Sequence, residues 1–362
     1  MTRPVRTPAQ LRERGLINAE QLIAVERVVA RFAATITDEI VELINPDDPD
    51  DPIAAQFVPR AAELEITPEE LSDPIGDEAH TPVPGVTHRY PDRALLKPVH
   101  VCPVYCRFCF RRELVGPKHD ARPSVLSDAE LADALAYIRS HAQIWEVILS
   151  GGDPLILAPA KLGRLLAALD AIDHVRVIRI HTRVPVVDSA RINAELLQAL
   201  AVATTVYVVL HANHPRELTP AAARACASIV DAGIPMLGQT VLLQGINADA
   251  ATLEQLFRRL VELRVKPYYL HHGDLAEGTS SFRTTIDEGQ ALMRSLRGRV
   301  SGLCQPTYML DIPGGHGKVP IGPNYLHGGL HGGLRDEQDG RRVEDIDGRL
   351  HEYPPKPAVP DP

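Results

Sequence analysis

The chain has 362 residues, of which 44% are hydrophobic and 23% charged, an ordinary balance for a globular protein with a large apolar core. Its 38 Lys and Arg residues against 47 Asp and Glu residues give a formal net charge of −9, which leaves no basic surface of the kind that binds nucleic acid. No apolar run of about 18 residues predicts a membrane span, and five cysteines, three of them closely spaced, favour a reducing compartment over a disulfide framework. We therefore expect a cytoplasmic protein with no membrane or nucleic-acid partner.

The N-terminal part of the chain shows a helical pattern between residues 7 and 44, where apolar residues recur three and four positions apart. Residues 46–52 then read Pro-Asp-Asp-Pro-Asp-Asp-Pro. Because proline cannot continue a helix, this acidic segment predicts an exposed linker, with a metal-binding loop as the alternative. We assign residues 1–80 to a small helical region followed by a linker.

From about residue 94 the pattern changes to short apolar runs that alternate with amphipathic stretches. The predicted strands are residues 94–101, 146–149, 175–181, 205–211, 236–243 and 267–271. The predicted helices between them are residues 128–142, 160–172, 220–232 and 251–263, each long enough to connect parallel strands. Six strand–helix units predict a partial α/β barrel over residues 81–305, with functional loops at the carboxyl ends of the strands. Residues 306–362 are assigned to a lysine-bearing loop and a short C-terminal extension, with an edge strand near residues 349–353.

Three cysteines, Cys102, Cys106 and Cys109, follow the first predicted strand with the spacing C-x3-C-x2-C. Iron–sulfur clusters usually take four thiolates, so three would leave one iron of a [4Fe-4S] cluster free to bind another group. This spacing is the signature of radical S-adenosylmethionine enzymes, in which the methionyl amino and carboxylate groups bind that iron. A zinc site would want a second pair of ligands nearby, which the sequence lacks. A zinc site or an inert trio of cysteines is the alternative to the cluster.

A second motif, Gly151-Gly152-Asp153, ends the next predicted strand and begins 42 residues after Cys109. Two glycines let the backbone approach a ligand closely, and the carboxylate is placed to receive an ammonium group. In radical S-adenosylmethionine enzymes a Gly-Gly-Asp or Gly-Gly-Glu motif at this place receives the methionyl amino group. By itself the tripeptide is also an ordinary turn.

A third motif, the glycine-rich segment from Asp311 to Gly317, precedes Lys318. It is not a phosphate-binding Walker loop, because Val319 follows the lysine where that loop has Ser or Thr. A lysine held by a flexible glycine turn suits a Schiff base that must be made and broken, as with pyridoxal phosphate. The alternative is a surface turn that ends in a solvated lysine.

Together the three motifs resemble the lysine 2,3-aminomutase family, whose members combine a radical S-adenosylmethionine cluster with pyridoxal phosphate. The resemblance extends over about residues 80–325 and includes residues 90–93, 210–215, 238–243, 266–270, 282–284 and 301–302. It implies a partial (β/α)6 radical S-adenosylmethionine barrel. It also implies an isomerase that moves the amino group of L-lysine from C2 to C3 to give β-lysine.

The resemblance implies a role for each of several residues. Lys318 would hold pyridoxal phosphate, Arg93 would bind its phosphate group, and Arg111 would bind the substrate carboxylate. Asp274 and Asp311 would receive the side-chain ammonium of lysine, which favours lysine over glutamate and, less firmly, over arginine. Phe108 would contact a cofactor, and the residues that would contact S-adenosylmethionine are Gly151, Gly152, Asp153, His211 and Gln239. For each charged residue the alternative is a surface ion pair of little consequence.

The chain also departs from the family pattern. Larger members carry a zinc site built from cysteines of the C-terminal extension and a neighbouring subunit, but no cysteine follows Cys304, and Asp249 stands where we would expect the partner cysteine. We therefore do not expect that zinc site. His316 replaces a usual glycine, and the sequence offers no physical account of it. Residues 327–334 read His-Gly-Gly-Leu-His-Gly-Gly-Leu, which indicates a flexible loop rather than a metal site, since two histidines alone make a poor one.

Several functional alternatives remain open from the sequence. One is the short branch of the family that supplies β-lysine for the modification of elongation factor P. Others are an arginine or glutamate 2,3-aminomutase, and an iron–sulfur protein that has lost the isomerase activity. For the enzyme we expect a homo-oligomer and an external electron donor such as flavodoxin or ferredoxin.

Overall fold

The computed structural model describes residues 4–115, 124–327 and 341–353. The N-terminal part forms four short helices, α1 (Pro8–Glu13), α2 (Leu22–Arg31), α3 (Asp38–Leu43) and α4 (Pro52–Phe57). A capping box of Thr7 and Gln10 starts α1, and Pro8 occupies its first turn, where no backbone donor is needed. The predicted helical N-terminal region is therefore present.

Within the described ranges, nine strands form one sheet in the order in which they occur along the chain. They are β1 (Val86–Tyr90), β2 (Arg93–Val99), β3 (Glu146–Gly151), β4 (Val177–Thr182), β5 (Thr205–His211), β6 (Met236–Val241), β7 (Val265–His271), β8 (Thr307–Ile312) and β9 (Gly317–Pro320). Strands β2 to β8 are parallel to one another, whereas β1 and β9 run antiparallel at the two edges. All six predicted strands are confirmed as β2 to β7, and the partial barrel with them.

Helices between the strands cover the outer side of this sheet. They are α5 (Asp128–Ser140), α6 (Pro159–Asp170), α7 (Val184–Val187), α8 (Ala194–Leu200), α9 (Pro220–Asp231), α10 (Ala250–Glu262) and α11 (Ile286–Leu296). In α10, Leu253, Leu256, Phe257 and Leu260 repeat at helical spacing and are all buried, which fixes the face that packs on the sheet. Across the described ranges, none of these helices has the length and apolar character needed to cross a membrane.

The two faces of the sheet differ in polarity. In β4, Ile178 and Ile180 are fully buried in the apolar core, whereas Arg179 and His181 alternate with them and line an internal cavity. Because successive side chains on a strand point to opposite faces, this alternation places polar groups inside the barrel and apolar groups under the helices.

The carboxyl-terminal part of the barrel differs from the prediction. The sequence predicts a loop and an extension from residue 306 onward, but β8 is a seventh parallel strand, and β9 pairs back on it with Asp311 opposite Lys318. Lys318 therefore lies on a strand directly after a turn. Gly314 and Gly315 in that turn both have a φ of +82°, a conformation that glycine adopts without strain. The strand β9 is four residues long, too short to give a clear strand pattern.

The acidic proline-rich segment is only partly an exposed linker. Residues 46–50 are exposed, but Asp51 is fully buried. Its carboxylate accepts hydrogen bonds from the backbone N–H groups of Ile53 and Ala54, which start α4, and pairs with Arg216 at 2.6 Å. The prediction is wrong for Asp51, because an arginine distant in sequence compensates its charge.

A small second sheet lies at the C-terminal end. It consists of β10 (Leu326–His327), β11 (Arg341–Glu344) and β12 (Leu350–Tyr353), paired antiparallel. The predicted edge strand near residues 349–353 is confirmed as β12. Glu344 pairs with Arg294 of α11 at 2.7 Å, which anchors this sheet to the barrel. Most of the His- and Gly-rich segment, residues 328–334, lies outside the described residues.

A buried ionic cluster joins the N-terminal region to the cysteine loop. Glu63, which is 1% exposed, accepts hydrogen bonds from Arg107, with Nε at 2.9 Å, and from Arg112. Arg112 also stacks on the ring of Phe32, with its guanidinium carbon 3.6 Å from the ring centre. Both arginines are buried, so one carboxylate compensates two cations and fixes the position of the loop.

Replacing Glu63 with Gln removes this compensating charge but keeps the shape of the side chain. We expect the free energy of unfolding to fall by about 3–5 kcal/mol, the usual cost of leaving a buried charge without its partner. Urea unfolding followed by circular dichroism measures this change. The control is Arg258→Ala, which removes an exposed pair with Glu254 and should cost less than about 1 kcal/mol. An equally small effect of Glu63→Gln would contradict the interpretation.

Candidate active site

A cavity of about 450 Å³ lies inside the curved sheet. All fourteen residues that the sequence analysis assigned to the cluster, the cofactors or the substrate line it: Arg93, Cys102, Cys106, Phe108, Cys109, Arg111, Gly151, Gly152, Asp153, His211, Gln239, Asp274, Asp311 and Lys318. Most of them follow a parallel strand or end it, which is why residues far apart in sequence meet here. Arg93 is the first residue of β2, so the cavity also extends toward the amino-terminal ends of the strands.

The three cysteines lie in the loop after β2 and are partly buried. Burial raises the pKa of Cys102 well above its usual range and that of Cys109 to about 11, so the thiolates need a positive partner. Arg183 supplies one such charge, with Nη1 2.9 Å from Sγ of Cys106. Three thiolates from one short loop fit a [4Fe-4S] cluster, in which each thiolate binds a different iron.

The Gly-Gly-Asp loop packs closely against the cysteine loop. A Cβ atom on Gly152 would lie 2.1 Å from the carbonyl oxygen of Val101, so only glycine fits, and Gly151 has a φ of +102°. The buried carboxylate of Asp153 accepts hydrogen bonds from Oγ1 of Thr182 at 2.8 Å and from the backbone N–H of Arg183 at 2.7 Å. The carboxylate of Asp153 therefore accepts hydrogen bonds from the protein and holds the Gly-Gly-Asp loop in place. The sequence predicts instead a carboxylate that is free to receive an ammonium group.

One wall of the cavity beside the cysteine loop is formed by Phe108, His211 and Gln239. His211 and Gln239 are register partners on β5 and β6, and the rings of Phe108 and His211 lie 5.8 Å apart. Burial, with the nearby charge of Arg183, lowers the pKa of His211 to about 3. The imidazole is therefore neutral, and its Nε2–H can donate to Oδ1 of Asn213 at 3.2 Å.

Lys318 lies among acidic and aromatic side chains. Its Nζ is 2.5 Å from Oδ2 of Asp311 and 3.4 Å from Nδ1 of His271, and its backbone N–H donates to the hydroxyl of Tyr90 at 2.8 Å. Burial and the neighbouring charge of Asp311 raise the pKa of Asp274 to about 7. A solvated lysine at the end of a surface turn is therefore excluded, since Lys318 is ion-paired inside the cavity.

Two arginines of the cavity are held in different ways. Arg111 is 8% exposed, and its Nε and Nη2 atoms both lie 2.9 Å from Oδ2 of Asp77. Arg93 is more accessible; its guanidinium stacks on the ring of Tyr90 at 3.9 Å and pairs with the exposed Asp92 at 2.8 Å. Arg111 is fixed by a buried partner, whereas Arg93 can exchange an exposed partner for a ligand anion.

Several cavity residues were not identified from the sequence. The stacked pair Tyr268 and Tyr269 belongs to a segment of the resemblance, residues 266–270, to which no role is assigned, and His271 directly follows that segment. Asp77 and Arg183 carry no local signature at all. Both act through partners that are distant in sequence, which a single sequence does not reveal.

Comparison with known proteins gives the family. The family model described as Radical SAM superfamily matches residues 96–260, and that described as Lysine-2,3-aminomutase matches residues 293–329. L-lysine 2,3-aminomutase of Clostridium subterminale is 40% identical over 322 residues, which cover 89% of this chain and 76% of that protein. The chain belongs to the lysine 2,3-aminomutase family.

Other relatives agree with this membership. L-lysine 2,3-aminomutase of Bacillus subtilis is 36% identical over 99% of this chain and 74% of its own length. Glutamate 2,3-aminomutase of Clostridioides difficile is 37% identical over 83% of this chain and 70% of its own length. This member of the family is thus an isomerase of the radical S-adenosylmethionine class, with a [4Fe-4S] cluster, S-adenosylmethionine and pyridoxal phosphate as cofactors. The cofactors expected from the sequence are confirmed.

The role of the cysteine loop can be tested with the cysteines of the same chain. We expect Cys106→Ala to abolish the iron and sulfide content of anaerobically reconstituted protein, because two thiolates do not hold the cluster. The matched control is Cys304→Ala, a buried cysteine outside the cavity, which should keep the full content. Iron and sulfide analysis with visible absorbance measures both. Full retention in Cys106→Ala would remove Cys106 from the ligand set.

Proposed function

We propose that this aminomutase converts L-lysine to β-lysine by moving the amino group from C2 to C3. The observation that supports this most is the distribution of charge in the cavity. Asp274 and Asp311 lie together beside Lys318, while Arg111 presents a cation close enough to lower the pKa of Asp274. A substrate with a carboxylate at one end and an ammonium at the other matches both groups.

The same charges disfavour a glutamate substrate. Its side-chain carboxylate would lie against Asp274 and Asp311, and like charges in a poorly solvated cavity repel strongly. Arginine carries the right charge, but its side chain is longer and its planar guanidinium has a different shape from an ammonium group. We therefore propose lysine over both, although the relatives include a glutamate 2,3-aminomutase.

The bound cofactors would supply the reactive chemistry: the cluster and S-adenosylmethionine a carbon-centred radical, and pyridoxal phosphate a carrier for the migrating nitrogen. Lys318 is the amine to which we assign pyridoxal phosphate, with Arg93 as the partner of its phosphate. Burial and the charge of Lys318 hold the pKa of His271 well below its usual range, so this ring stays neutral, and its Nδ1, 3.4 Å from Nζ of Lys318, can accept a hydrogen bond from the ammonium.

Asp311 is placed to serve the substrate as well as Lys318. Its carboxylate pairs with the ammonium of Lys318 at 2.5 Å. If Lys318 held the cofactor, its amine would no longer carry that ammonium charge, and Asp311 would be able to pair with the side-chain ammonium of the substrate. Phe108, Gly151, Gly152, His211, Gln239 and the backbone of Asp153 form the wall that we assign to S-adenosylmethionine. The position of this wall inside the barrel would limit the access of water to a radical, which is the other contribution of the protein.

The substrate is tested with anaerobically reconstituted protein supplied with S-adenosylmethionine, pyridoxal phosphate and dithionite. L-lysine, L-arginine and L-glutamate are offered separately, and products are followed by chromatography with mass detection. We expect β-lysine from L-lysine and no β-amino acid from the other two, because only lysine matches both charged ends. Cleavage of S-adenosylmethionine without any β-amino acid would refute the proposal, and a product from glutamate would refute the argument from the acidic pair.

The raised pKa of Asp274 predicts how lysine binding depends on pH. Below about pH 7 the carboxyl is protonated and cannot pair with the ligand ammonium, which itself stays charged up to about pH 10. Affinity for L-lysine should therefore rise between about pH 5 and pH 8, by up to about tenfold per pH unit below the pKa. The absorbance of bound pyridoxal phosphate, titrated with L-lysine, measures the dissociation constant. Asp274→Asn should remove this part of the pH dependence; an unchanged profile would contradict it.

A further inference from the structure

Asp77 belongs to the N-terminal region but reaches the cavity. Its carboxylate is 3% exposed and has three cationic neighbours. Oδ2 accepts a hydrogen bond from Nε of Arg111 at 2.9 Å and lies 2.9 Å from Nη2 of the same arginine and 3.7 Å from Nζ of Lys97. Oδ1 accepts a hydrogen bond from Nη2 of Arg89 at 3.2 Å. Burial alone would raise the pKa of Asp77, but the charges of Arg111, Lys97 and Arg89 hold it below its usual value. Asp77 is therefore ionised inside the protein.

The contact with Asp77 uses only one edge of the Arg111 guanidinium. A guanidinium has a side edge, formed by Nε and one Nη atom, and an end edge, formed by the two Nη atoms. Asp77 occupies the side edge. Nη1 of Arg111 lies 3.4 Å from Oγ of Ser150, in the wall of the cavity. Each Nη atom carries two N–H groups, so the end edge can still bind a carboxylate, and the contact with Asp77 limits how the guanidinium can turn.

The segment that carries Asp77 is itself fixed at several points. The carboxylate of Asp73 accepts hydrogen bonds from the backbone N–H groups of Asp77 at 2.9 Å and Glu78 at 2.8 Å. Arg89 donates to the carbonyl oxygen of Ile75 at 2.6 Å. Because the segment and the side chain of Asp77 are both held in place, Asp77 can fix the orientation of the Arg111 guanidinium.

The same segment also touches the turn that precedes Lys318. A Cβ atom on Gly76 would lie 2.4 Å from the backbone nitrogen of Gly315, so the two backbones are in direct contact. Nε2 of His80 lies 3.2 Å from the carbonyl oxygen of Gly315. Residues 73–80 thus connect the arginine at one end of the cavity with the lysine hairpin at the other.

The charges show what would happen without Asp77. Arg111 already lowers the pKa of Asp274, so the two groups attract each other across the cavity. Arg111, Lys97 and Arg89 lie around Asp77, and the charge of Asp73 also acts on Lys97, so three cations face two carboxylates and the remaining positive charge suits a carboxylate ligand. If the side edge of Arg111 were released, the guanidinium would be free to turn toward Asp274. An ion pair between Arg111 and Asp274 would occupy the groups that we propose for the carboxylate and the side-chain ammonium of the substrate.

We propose that Asp77 is a positioning residue, which aims the end edge of Arg111 at the carboxylate of the amino acid substrate and keeps Arg111 apart from Asp274. This inference rests on the proposed function, because it takes an amino acid as the ligand. Asp77 would act on the substrate only through Arg111, and it lies outside the barrel strands and the loops that connect them.

The test uses the full chain loaded with pyridoxal phosphate, so that neither the cluster nor turnover is needed. The absorbance of the bound cofactor is titrated with L-lysine and, separately, with 1,5-diaminopentane, which is lysine without its carboxylate. In Asp77→Asn we expect the dissociation constant for L-lysine to rise about 10- to 100-fold, the usual effect of losing a charge-assisted hydrogen bond. For 1,5-diaminopentane it should change by less than about threefold, within the scatter of neutral surface changes.

Three further variants complete the experiment. Asp77→Glu keeps the charge and should recover part of the affinity for L-lysine. Arg111→Gln should lose as much as Asp77→Asn or more, and the double variant should lose no more than Arg111→Gln, because Asp77 acts through Arg111. The control Asp231→Asn removes an exposed aspartate–arginine pair with Arg264 and should leave both titrations unchanged.

The outcomes separate the inference from the proposed function. Equal losses for L-lysine and 1,5-diaminopentane in Asp77→Asn would show a merely structural role and overturn the inference, as would additive losses in the double variant. If Asp77→Asn does not fold, the same comparison is made with Asp77→Glu, where a loss confined to L-lysine supports the inference and equal losses overturn it. If the unmodified protein responds to neither compound, the proposed function fails, and the inference fails with it.

Discussion

Burial of charge inside the barrel is the constraint on which the rest of the structure depends. An ion removed from water costs several kcal/mol unless an opposite charge and hydrogen bonds replace the water. The cavity and its surroundings contain many such ions, and the cations pair with carboxylates: Arg107 and Arg112 with Glu63, Arg111 with Asp77, Arg183 with Glu217, and Lys318 with Asp311. Because Glu63 and Asp77 belong to the N-terminal region, whereas their arginine partners follow β2, these pairs also hold the N-terminal region against the sheet.

Asp274 behaves differently from the other carboxyl groups of the cavity. Its charged neighbours include a second carboxylate, Asp311, so burial and repulsion favour its protonated form up to about pH 7. An arriving ammonium group would favour the ionised form instead. Binding of a cationic substrate near neutral pH would therefore release a proton from Asp274. The net charge inside the cavity would then change by less than the charge of the ligand.

Sequence alone predicted the parts of this enzyme that have local signatures. The cysteine loop, the Gly-Gly-Asp turn and Lys318 each lie in a short motif, and six strands follow from alternation with helices. The strand β8 was missed because no helix follows it to complete that alternation. The burial of Asp51 was missed because local composition indicates solvent, whereas Arg216, 165 residues away, determines its environment. Asp77 was missed for the same reason, since its partners are not its neighbours in sequence.

The position of Lys318 on the last strand of the barrel has a consequence for biosynthesis. A ribosome releases the N-terminal part of a chain first, and that part begins to fold before the rest is made. The cysteine loop follows β2, whereas Lys318 lies on β9, where its backbone N–H binds the hydroxyl of Tyr90 from β1 and joins the two edges of the sheet. An unfinished chain can therefore contain the three cysteines without Lys318. The loop that we propose for the cluster and the lysine that we propose for pyridoxal phosphate are present together only when synthesis of the barrel is complete.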